Sequence, residues 1–286
     1  MRIGQAQLVA DGFCFLEAPK WRDGKIWMSD VFGRAVYTVT PDGKRELVCE
    51  IPLMPAGLGF MPDGRLIISS HGDRKLMQWK DGELSVYADL SAVIPYWIND
   101  FTIDANGRIY LGNYGYHYNK GEAPQPARMH RVDPDGSVTE IATGMDFPNG
   151  AVIINGGRTL VVNETWVGRV TAFDLTTDGK LINRRVFAHL GDRGPDGMCA
   201  DASGAIWVGC YNSGEILRVL DGGEITDRFA FDGRAISCVV GGEDGRTLYM
   251  TAFLGANEEV ALAKPKSALF SAKINVGRPP NLIHYR

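Results

Sequence analysis

A strand–turn–strand phrase that recurs six times along this 286-residue chain predicts an all-β fold, a six-bladed β-propeller. Each copy has a short strand, a glycine-containing turn and an apolar strand, as in W-R-D-G-K-I-W-M-S-D and F-M-P-D-G-R-L-I-I-S. The turn glycines follow one another at intervals of 40 to 50 residues; they are Gly24, Gly64, Gly107, Gly157, Gly204 and Gly245. A β-sandwich or barrel would also have many strands, but the regular period favours the propeller.

The remainder of each repeat predicts two more strands, and therefore blades of four strands. In the first repeat, residues 34–39 read as a third strand and the turn Pro41-Asp42-Gly43 leads into a fourth. No linker or change of composition divides the chain, which predicts a single domain over residues 1–286. Residues 7–10 and 281–285 are left over, and we expect one of these stretches to supply an outer strand to the blade at the other end of the chain.

Composition narrows the classes of function. Thirty basic and thirty-four acidic residues give a net charge of -4 without a basic cluster, which disfavours nucleic acid as a partner. No apolar run reaches the roughly 18 residues that span a bilayer, and the N-terminus is too polar for a signal peptide, so we expect no membrane partner and a cytoplasmic location. Five cysteines without a C-x-x-C pair disfavour both a disulfide framework and a thiolate metal site. The oligomeric state stays open.

Candidate site residues lie at the start of the inner strand of each blade. In a propeller these starts gather on one face, here called the near face, whereas the hairpin glycines lie on the opposite, far face. Counting back seven or eight residues from each glycine gives Glu17, Gly57, Asn99, Asn149, Asp196 and Ser237. We expect these positions from separate blades to converge near the axis, on loops held by a rigid scaffold.

Four of the six positions carry oxygen donors that suit a metal ion. Two carboxylates and two amides, without histidine or thiolate, favour one divalent cation; calcium fits first, then magnesium or manganese, with zinc less natural. Burying Glu17 close to Asp196 without a cation would be costly. Alternatively, Asn149 and Asp196 brace the backbone as turn residues before a strand.

At these residues the chain resembles the gluconolactonase, senescence marker protein and luciferin-regenerating enzyme family of six-bladed propellers. The resemblance covers nearly the whole chain and is carried by F-L-E-A-P-K-W, I-N-D-F-T-I-D, F-P-N-G-A-V and P-D-G-M-C-A-D-A-S-G-A-I-W-V-G-C-Y. It implies that Glu17, Asn149 and Asp196 bind one divalent cation, and that Asn99 helps to bind the substrate or a metal-bound water. It also implies hydrolysis of lactones, with organophosphate hydrolases among the relatives.

One departure from the family pattern bears on the substrate. Sugar-lactone hydrolases of the family tend to have arginine two residues before the first asparagine, where this chain has Trp97. An indole in place of a polyol-binding donor favours an aromatic or apolar lactone. The expected substrate-binding residues are Asn99, Trp97, Tyr114, His71 and Tyr211. Further near-face candidates are Tyr96, Tyr116, His117, Tyr118, Trp166 and Phe253, any of which could instead pack between blades.

The sequence therefore predicts an enzyme, a metal-dependent lactonase that acts on a small molecule. The metal would polarise the carbonyl group, and Asp196 or a metal-bound hydroxide would activate water, with Asn99 as the second catalytic residue. His71 is a weaker candidate for the base. Two alternatives remain: a phosphotriester hydrolase that uses the same metal site, and a propeller that binds partners without catalysis.

Overall fold

The computed structural model describes residues 1–279 and confirms the six-bladed propeller. The first two strands, which precede blade 1, are β1 (Arg2–Ile3) and β2 (Gln7–Phe13). Blade 1 contains β3 (Leu16–Arg22), β4 (Lys25–Asp30), β5 (Ala35–Val39) and β6 (Arg45–Glu50). Blade 2 contains β7 (Pro55–Phe60), β8 (Leu66–Ser70), β9 (Lys75–Lys80) and β10 (Glu83–Asp89). Blade 3 contains β11 (Ile98–Ile103), β12 (Ile109–Asn113), β13 (Ala127–Val132) and β14 (Val138–Met145).

The second half of the chain repeats this arrangement. Blade 4 contains β15 (Pro148–Ile154), β16 (Thr159–Glu164), β17 (Arg169–Leu175) and β18 (Leu181–His189). Blade 5 contains β19 (Pro195–Ala200), β20 (Ile206–Cys210), β21 (Glu215–Val219) and β22 (Ile225–Ala230). Blade 6 contains β23 (Arg234–Gly241), β24 (Thr247–Phe253) and β25 (Ser267–Lys273). The six turn glycines all have positive φ, as the hairpin prediction requires. Neighbouring strands within each blade are antiparallel.

The N-terminal strand closes the ring. β2 pairs antiparallel with β25 and is the outer strand of blade 6, so the expectation for residues 7–10 is confirmed. The other stretch proposed for closure, residues 281–285, lies outside the described residues. The inner strands pack against one another in the closed cycle β3, β7, β11, β15, β19, β23 and back to β3. One feature was not foreseen: β1 adds a short parallel strand to the outer edge of blade 5 through β22.

The hydrophobic core lies between the blades. Six buried clusters each fill the space between two neighbouring blades. Inner strands such as β7 and β19 are buried along their whole length, whereas the outer strands β10 and β18 have mostly exposed or half-buried residues. Four of the five free cysteines are buried, as expected for small apolar side chains.

Two long loops cover the near face. Residues 114–126 join β12 to β13 and include a 3-10 helix at Tyr118–Lys120, and residues 254–266 join β24 to β25 and include helix α1 (Asn257–Val260). Blades 3 and 6 face each other across the ring, so these loops approach the axis from opposite sides. Two further 3-10 helices occur at Asn155–Gly157 and Gly191–Arg193. None of the helices in the described part of the chain is long and apolar enough to cross a membrane.

Candidate functional site

All eight residues singled out in the sequence line one cavity on the near face. The cavity has a volume of about 250 Å³. The residues that it brings together are Glu17, His71, Trp97, Asn99, Tyr114, Asn149, Asp196 and Tyr211. The other two positions obtained by counting, Gly57 and Ser237, are not part of the cavity wall within residues 1–279.

The four oxygen donors occupy the same place in four different blades. Glu17, Asn99, Asn149 and Asp196 are each the second residue of an inner strand, in β3, β11, β15 and β19. The pairing of each inner strand with its neighbour shifts in register just beyond this position. Such irregularities bend a strand and redirect its side chains. The bend is therefore part of what directs these side chains into the cavity.

Glycines beside two of the donors allow neighbouring inner strands to come close. A Cβ atom on Gly150 would lie 2.5 Å from the main-chain oxygen of Asp196, and one on Gly197 would lie 2.1 Å from the hydroxyl of Ser237. Real Cβ atoms do not tolerate such contacts, so only glycine fits between these strands. The motifs Asn149-Gly150 and Asp196-Gly197 thus combine a donor with the close packing that positions it.

Side chains of blade 4 form hydrogen bonds to the backbone at and next to Asp196. The Thr165 hydroxyl donates to the carbonyl of Pro195 at 2.8 Å and accepts from Nδ2 of Asn149 at 3.3 Å. Asn163 Nδ2 donates to the main-chain oxygen of Asp196 at 2.7 Å. Asn163 and Thr165 are buried, and sequence reasoning did not find them because they lie at the end of a middle strand.

The two carboxylates are in an unfavourable electrostatic environment. Burial and the nearby charges of Asp196 and Asp100 raise the pKa of Glu17 well above its ordinary value. Burial and the charge of Asp100 also raise the pKa of Asp196, and a hydrogen bond from Asn149 opposes the rise only in part. Asp100 is a buried third carboxylate that sequence reasoning missed, although it directly follows Asn99. Among the described residues, no lysine or arginine lines the cavity.

This donor set fits a hard divalent cation. The Nδ2 groups of Asn99 and Asn149 are directed to protein acceptors, the carbonyl of Pro148 at 3.5 Å and the Thr165 hydroxyl, which leaves each amide oxygen free to act as a ligand. A cation would also offset the cost of two buried negative charges. Within residues 1–279, no three histidine, cysteine, aspartate or glutamate side chains come together as a metal site. Binding would therefore depend on two carboxylates assisted by amide oxygens.

Aromatic rings form a continuous wall beside these donors. The His71 ring meets Trp97 and Tyr114 edge-on, with centroid distances of 5.1 Å and 4.9 Å. Tyr114 then packs on Phe147 at 4.2 Å, and Phe147 packs on Trp166 at 5.1 Å. This wall, here called the aromatic wall (Trp97, His71, Tyr114, Phe147, Trp166), runs from blade 2 to blade 4. It offers an aromatic, largely apolar surface to a ligand.

The remaining aromatic candidates have mixed outcomes. Tyr118 and Trp166 line the cavity, whereas the buried Tyr116 supports the wall by accepting a 3.1 Å hydrogen bond from the Trp166 indole. Tyr96 and His117 meet edge-to-face, and neither is part of the described cavity wall. Phe253 was the wrong choice among the later blades, because it is fully buried against Phe15.

Several cavity residues were not found from the sequence. They are Phe15, Val31, Phe32, Met54, Phe147, Thr165, Asn212, Asn257 and Val260. Phe147 had a usable signal, since it lies two residues before Asn149 as Trp97 lies two before Asn99. Its φ of 44° is an unusual backbone conformation for a bulky residue and is held by the surrounding site. Asn257 and Val260 belong to α1, for which the sequence repeat offers no counterpart.

A second and larger cavity, of about 670 Å³, lies on the far face. It is lined by hairpin turns of blades 3, 4 and 5 and contains none of the predicted site residues. Its acidic residues Asp104 and Asp201 are paired with Arg108 and Arg218, at 2.6 Å and 2.7 Å. We therefore place the candidate site in the smaller cavity, where the carboxylates have no such partners within the described chain.

Comparison with known proteins shows the family of the chain. The family model described as "SMP-30/Gluconolactonase/LRE-like region" matches residues 15–253. The chain belongs to this family. The matched region of the SMP-30/gluconolactonase family includes all four oxygen donors.

Relatives extend the similarity over most of the chain. Regucalcin of Xenopus laevis is 26% identical over 272 residues, which cover 91% of this chain and 90% of that protein. The pentonolactonase of Haloferax volcanii is 27% identical over 251 residues, covering 85% and 83% of the two chains. The crystal structure of the calcium-binding protein regucalcin from Agrobacterium tumefaciens superposes with a TM-score of 0.81 at 22% identity, covering 98% and 99%. This last likeness supports the fold.

Proposed function

We propose that this protein is a divalent-metal-dependent lactonase. The observation that carries the proposal is the convergence of Glu17, Asn99, Asn149 and Asp196 from four blades into one cavity. Membership of the SMP-30/gluconolactonase family and the similarity to a pentonolactonase support the same reaction class. The substrate is a small molecule, in keeping with a cavity of about 250 Å³.

Glu17, Asn149 and Asp196 would hold the metal ion through their side-chain oxygens. When bound, the ion supplies positive charge that polarises the ester carbonyl and offsets the negative charge that develops on its oxygen. The donors are all hard oxygen atoms, which calcium, magnesium and manganese prefer as ligands. Among these ions we favour calcium.

The chain's own residues handle water and protons. Asp196 accepts the proton of the attacking water as the new bond to the acyl carbon forms, and returns it to the ring oxygen as the acyl–oxygen bond breaks. Asn99 orients the substrate or this water through its side-chain oxygen, because its Nδ2 already donates to the carbonyl of Pro148. His71 does not act as the base in this scheme: burial lowers its pKa to about 3, so it has little capacity to hold a proton.

The substrate we propose is an aromatic or apolar lactone. The aromatic wall offers stacking surface, and the pKa of Tyr114 is raised well above its ordinary value by burial and by the charges of Glu17 and Asp196, so its hydroxyl remains a neutral donor. A sugar lactone would leave many hydroxyl groups against apolar rings without partners. Trp97 and Tyr211 complete the substrate-binding set at two sides of the cavity.

The test is a panel of lactones with the metal controlled. Protein stripped by a chelator is reloaded separately with calcium, magnesium, manganese or zinc, and hydrolysis of sugar, aliphatic and aromatic lactones is measured beside that of a phosphotriester. We expect aromatic lactones to be hydrolysed fastest, and only after reloading.

Two matched variants complete the test. Asp196→Asn should lower kcat/KM by about 100-fold or more, because the negative charge of the metal ligand and the proton acceptor are lost together. Asp135→Asn changes the same Pro-Asp-Gly motif in an exposed outer hairpin and should retain full activity. Hydrolysis that is independent of metal, or equal in the two variants, would refute the proposal, and no hydrolysis of any substrate in the panel would favour a non-catalytic propeller.

A further inference from the structure

His71 has a place in the cavity that the proposed reaction does not use. It follows β8 directly, is only 4% exposed, and its main-chain nitrogen donates to the carbonyl of Met54 at 2.8 Å. The edges of Trp97 and Tyr114 hold its ring. A polar ring fixed this firmly in the wall of a cavity presents its free nitrogen in one direction.

The two ring nitrogens differ in what they can reach. Nδ1 is buried and has no hydrogen-bond partner. Nε2 is not buried in this way, and the described residues offer it no hydrogen-bond partner either, so it retains exposure where the ring lines the cavity. A proton on Nδ1 would be a buried N–H without an acceptor, which is costly. The neutral ring therefore carries its proton on Nε2, where a ligand can accept a hydrogen bond.

His71 and the proposed proton acceptor, Asp196, lie on opposite sides of the ring. Burial alone lowers the pKa of His71, without a contribution from Glu17 or Asp196. It belongs to blade 2, which lies across the ring from blade 5 and Asp196. A hydrogen bond from His71 would thus reach a part of a ligand on the side of the cavity opposite Asp196.

We propose that Nε2–H of His71 selects the substrate by donating a hydrogen bond to an oxygen atom outside the reacting ester. The substrate class is then an uncharged, flat lactone whose aromatic part lies against Trp97 and Tyr114 and carries an ether, hydroxyl or carbonyl oxygen. The absence of lysine and arginine from the described cavity wall, together with two carboxylates, disfavours a charged oxygen. This inference rests on the proposed lactonase function and makes His71 a specificity residue.

Binding of paired probes tests the inference without relying on turnover. The probes are the lactam analogue of dihydrocoumarin, which the calcium-loaded protein would not hydrolyse during the measurement, and its four positional isomers that carry one methoxy group on the aromatic ring, because a methoxy oxygen only accepts hydrogen bonds. Dissociation constants for calcium-loaded protein are measured from tryptophan fluorescence, since Trp97 and Trp166 line the cavity. We expect one methoxy isomer to bind about three- to tenfold more tightly than the unsubstituted lactam, the effect of one hydrogen bond.

Two variants of similar shape separate the hydrogen bond from packing. His71→Gln places an amide N–H near the position of Nε2 and should retain the preference, whereas His71→Met has no donor and should lose it. His130→Met is the matched control, because His130 is also buried with an unpaired Nδ1 but does not line the cavity. This control should retain the preference.

The outcomes are separable from those of the proposed function. If no isomer is preferred by the wild-type protein, or if His71→Met retains the preference, the role of His71 is refuted even where lactones are hydrolysed. If the preference depends on His71 as expected while no lactone is hydrolysed, the specificity site stands and the proposed reaction fails.

Discussion

Asn163 holds Asp196 by its backbone: the side-chain amide of Asn163 donates a 2.7 Å hydrogen bond to the main-chain oxygen of Asp196 in the next blade. Asn163 is fully buried at the end of β16, and Asp196 is the second residue of β19. The carboxylate is thus positioned by a neighbouring blade as well as by its own. Such outer contacts fix the orientation of a ligand in many metal sites.

We expect Asn163→Ala to weaken calcium binding by about 10- to 100-fold, the usual effect of losing an orienting partner. The free energy of unfolding should also fall by about 1–3 kcal/mol, because the Asp196 carbonyl would be left buried and unpaired. Calorimetric titration with calcium and urea unfolding measure the two effects. Asn155→Ala, which removes a hydrogen bond to Thr159 on the far face of the same blade, is the control and should leave calcium affinity unchanged. Equal affinities in both variants would contradict the role of Asn163.

Glu17→Gln should stabilise the metal-free protein while it abolishes stabilisation by metal. Burial and the charge of Asp196 raise the pKa of Glu17, so the ionised carboxylate is a cost in the absence of a cation. Removing it should increase the free energy of unfolding of the metal-free protein at pH 8. Melting temperatures with chelator and with calcium give the comparison. A variant that melts below the wild type in chelator, or is still stabilised by calcium, would speak against a metal held by Glu17.

His71 should make the protein sensitive to acid. Its folded-state pKa, about 3, lies below the ordinary histidine value of about 6.5, so between these two values the unfolded chain binds a proton that the folded chain does not. Stability is therefore lost as the pH falls below about 6.5, by up to about 1.4 kcal/mol per pH unit. The free energy of unfolding of His71→Met should fall less steeply between pH 6.5 and 4.5 than that of the wild type. Replacing the exposed His189 by glutamine should not change the slope, and a slope unchanged in His71→Met would rule out this effect.

Trp97→Arg should shift the preference from aromatic toward polyhydroxylated lactones. The indole edge beside His71 and Tyr114 would be lost and a charged donor gained, which is worth about 10- to 100-fold in the ratio of kcat/KM values. Kinetics with one aromatic and one sugar lactone measure the ratio. Trp97→Phe retains an aromatic ring and should preserve the original preference. An unchanged ratio in Trp97→Arg would remove Trp97 from the set of specificity residues.

The blades and the donor positions could be predicted because both are periodic. A glycine turn every 40 to 50 residues defines the blades, and a constant offset from it leads to Glu17, Asn99, Asn149 and Asp196. The same offset places Asp196 in an inner strand, whereas the Pro-Asp-Gly copy at residues 62–64 is a hairpin turn between β7 and β8. In blades 2 and 6 the count reached Gly57 and Ser237, which do not line the cavity in the described structure.

The contacts that support the site could not be predicted in this way. Asn163 and Thr165 act across a blade boundary, and Asn257 approaches from the loop 254–266, whose helix α1 is not part of the sequence repeat. Phe253 looked equivalent to Tyr211 by position, yet one ring is fully buried and the other lines the cavity. These differences depend on how neighbouring blades pack, and the sequence pattern of a single repeat does not determine the contacts that its neighbours make.

The sequence by itself determined the number of blades and which residues begin the inner strands, because strand and turn preferences act over a few residues and repeat along the chain. Only the tertiary structure decided which of these residues share a cavity and which atoms of each side chain line it. Closing the ring places blade 2 opposite blade 5, so that His71 and Asp196, 125 residues apart, line the same 250 Å³ space. It also buries Nδ1 of His71 and leaves Nε2 at the cavity, a distinction that arises from packing between blades.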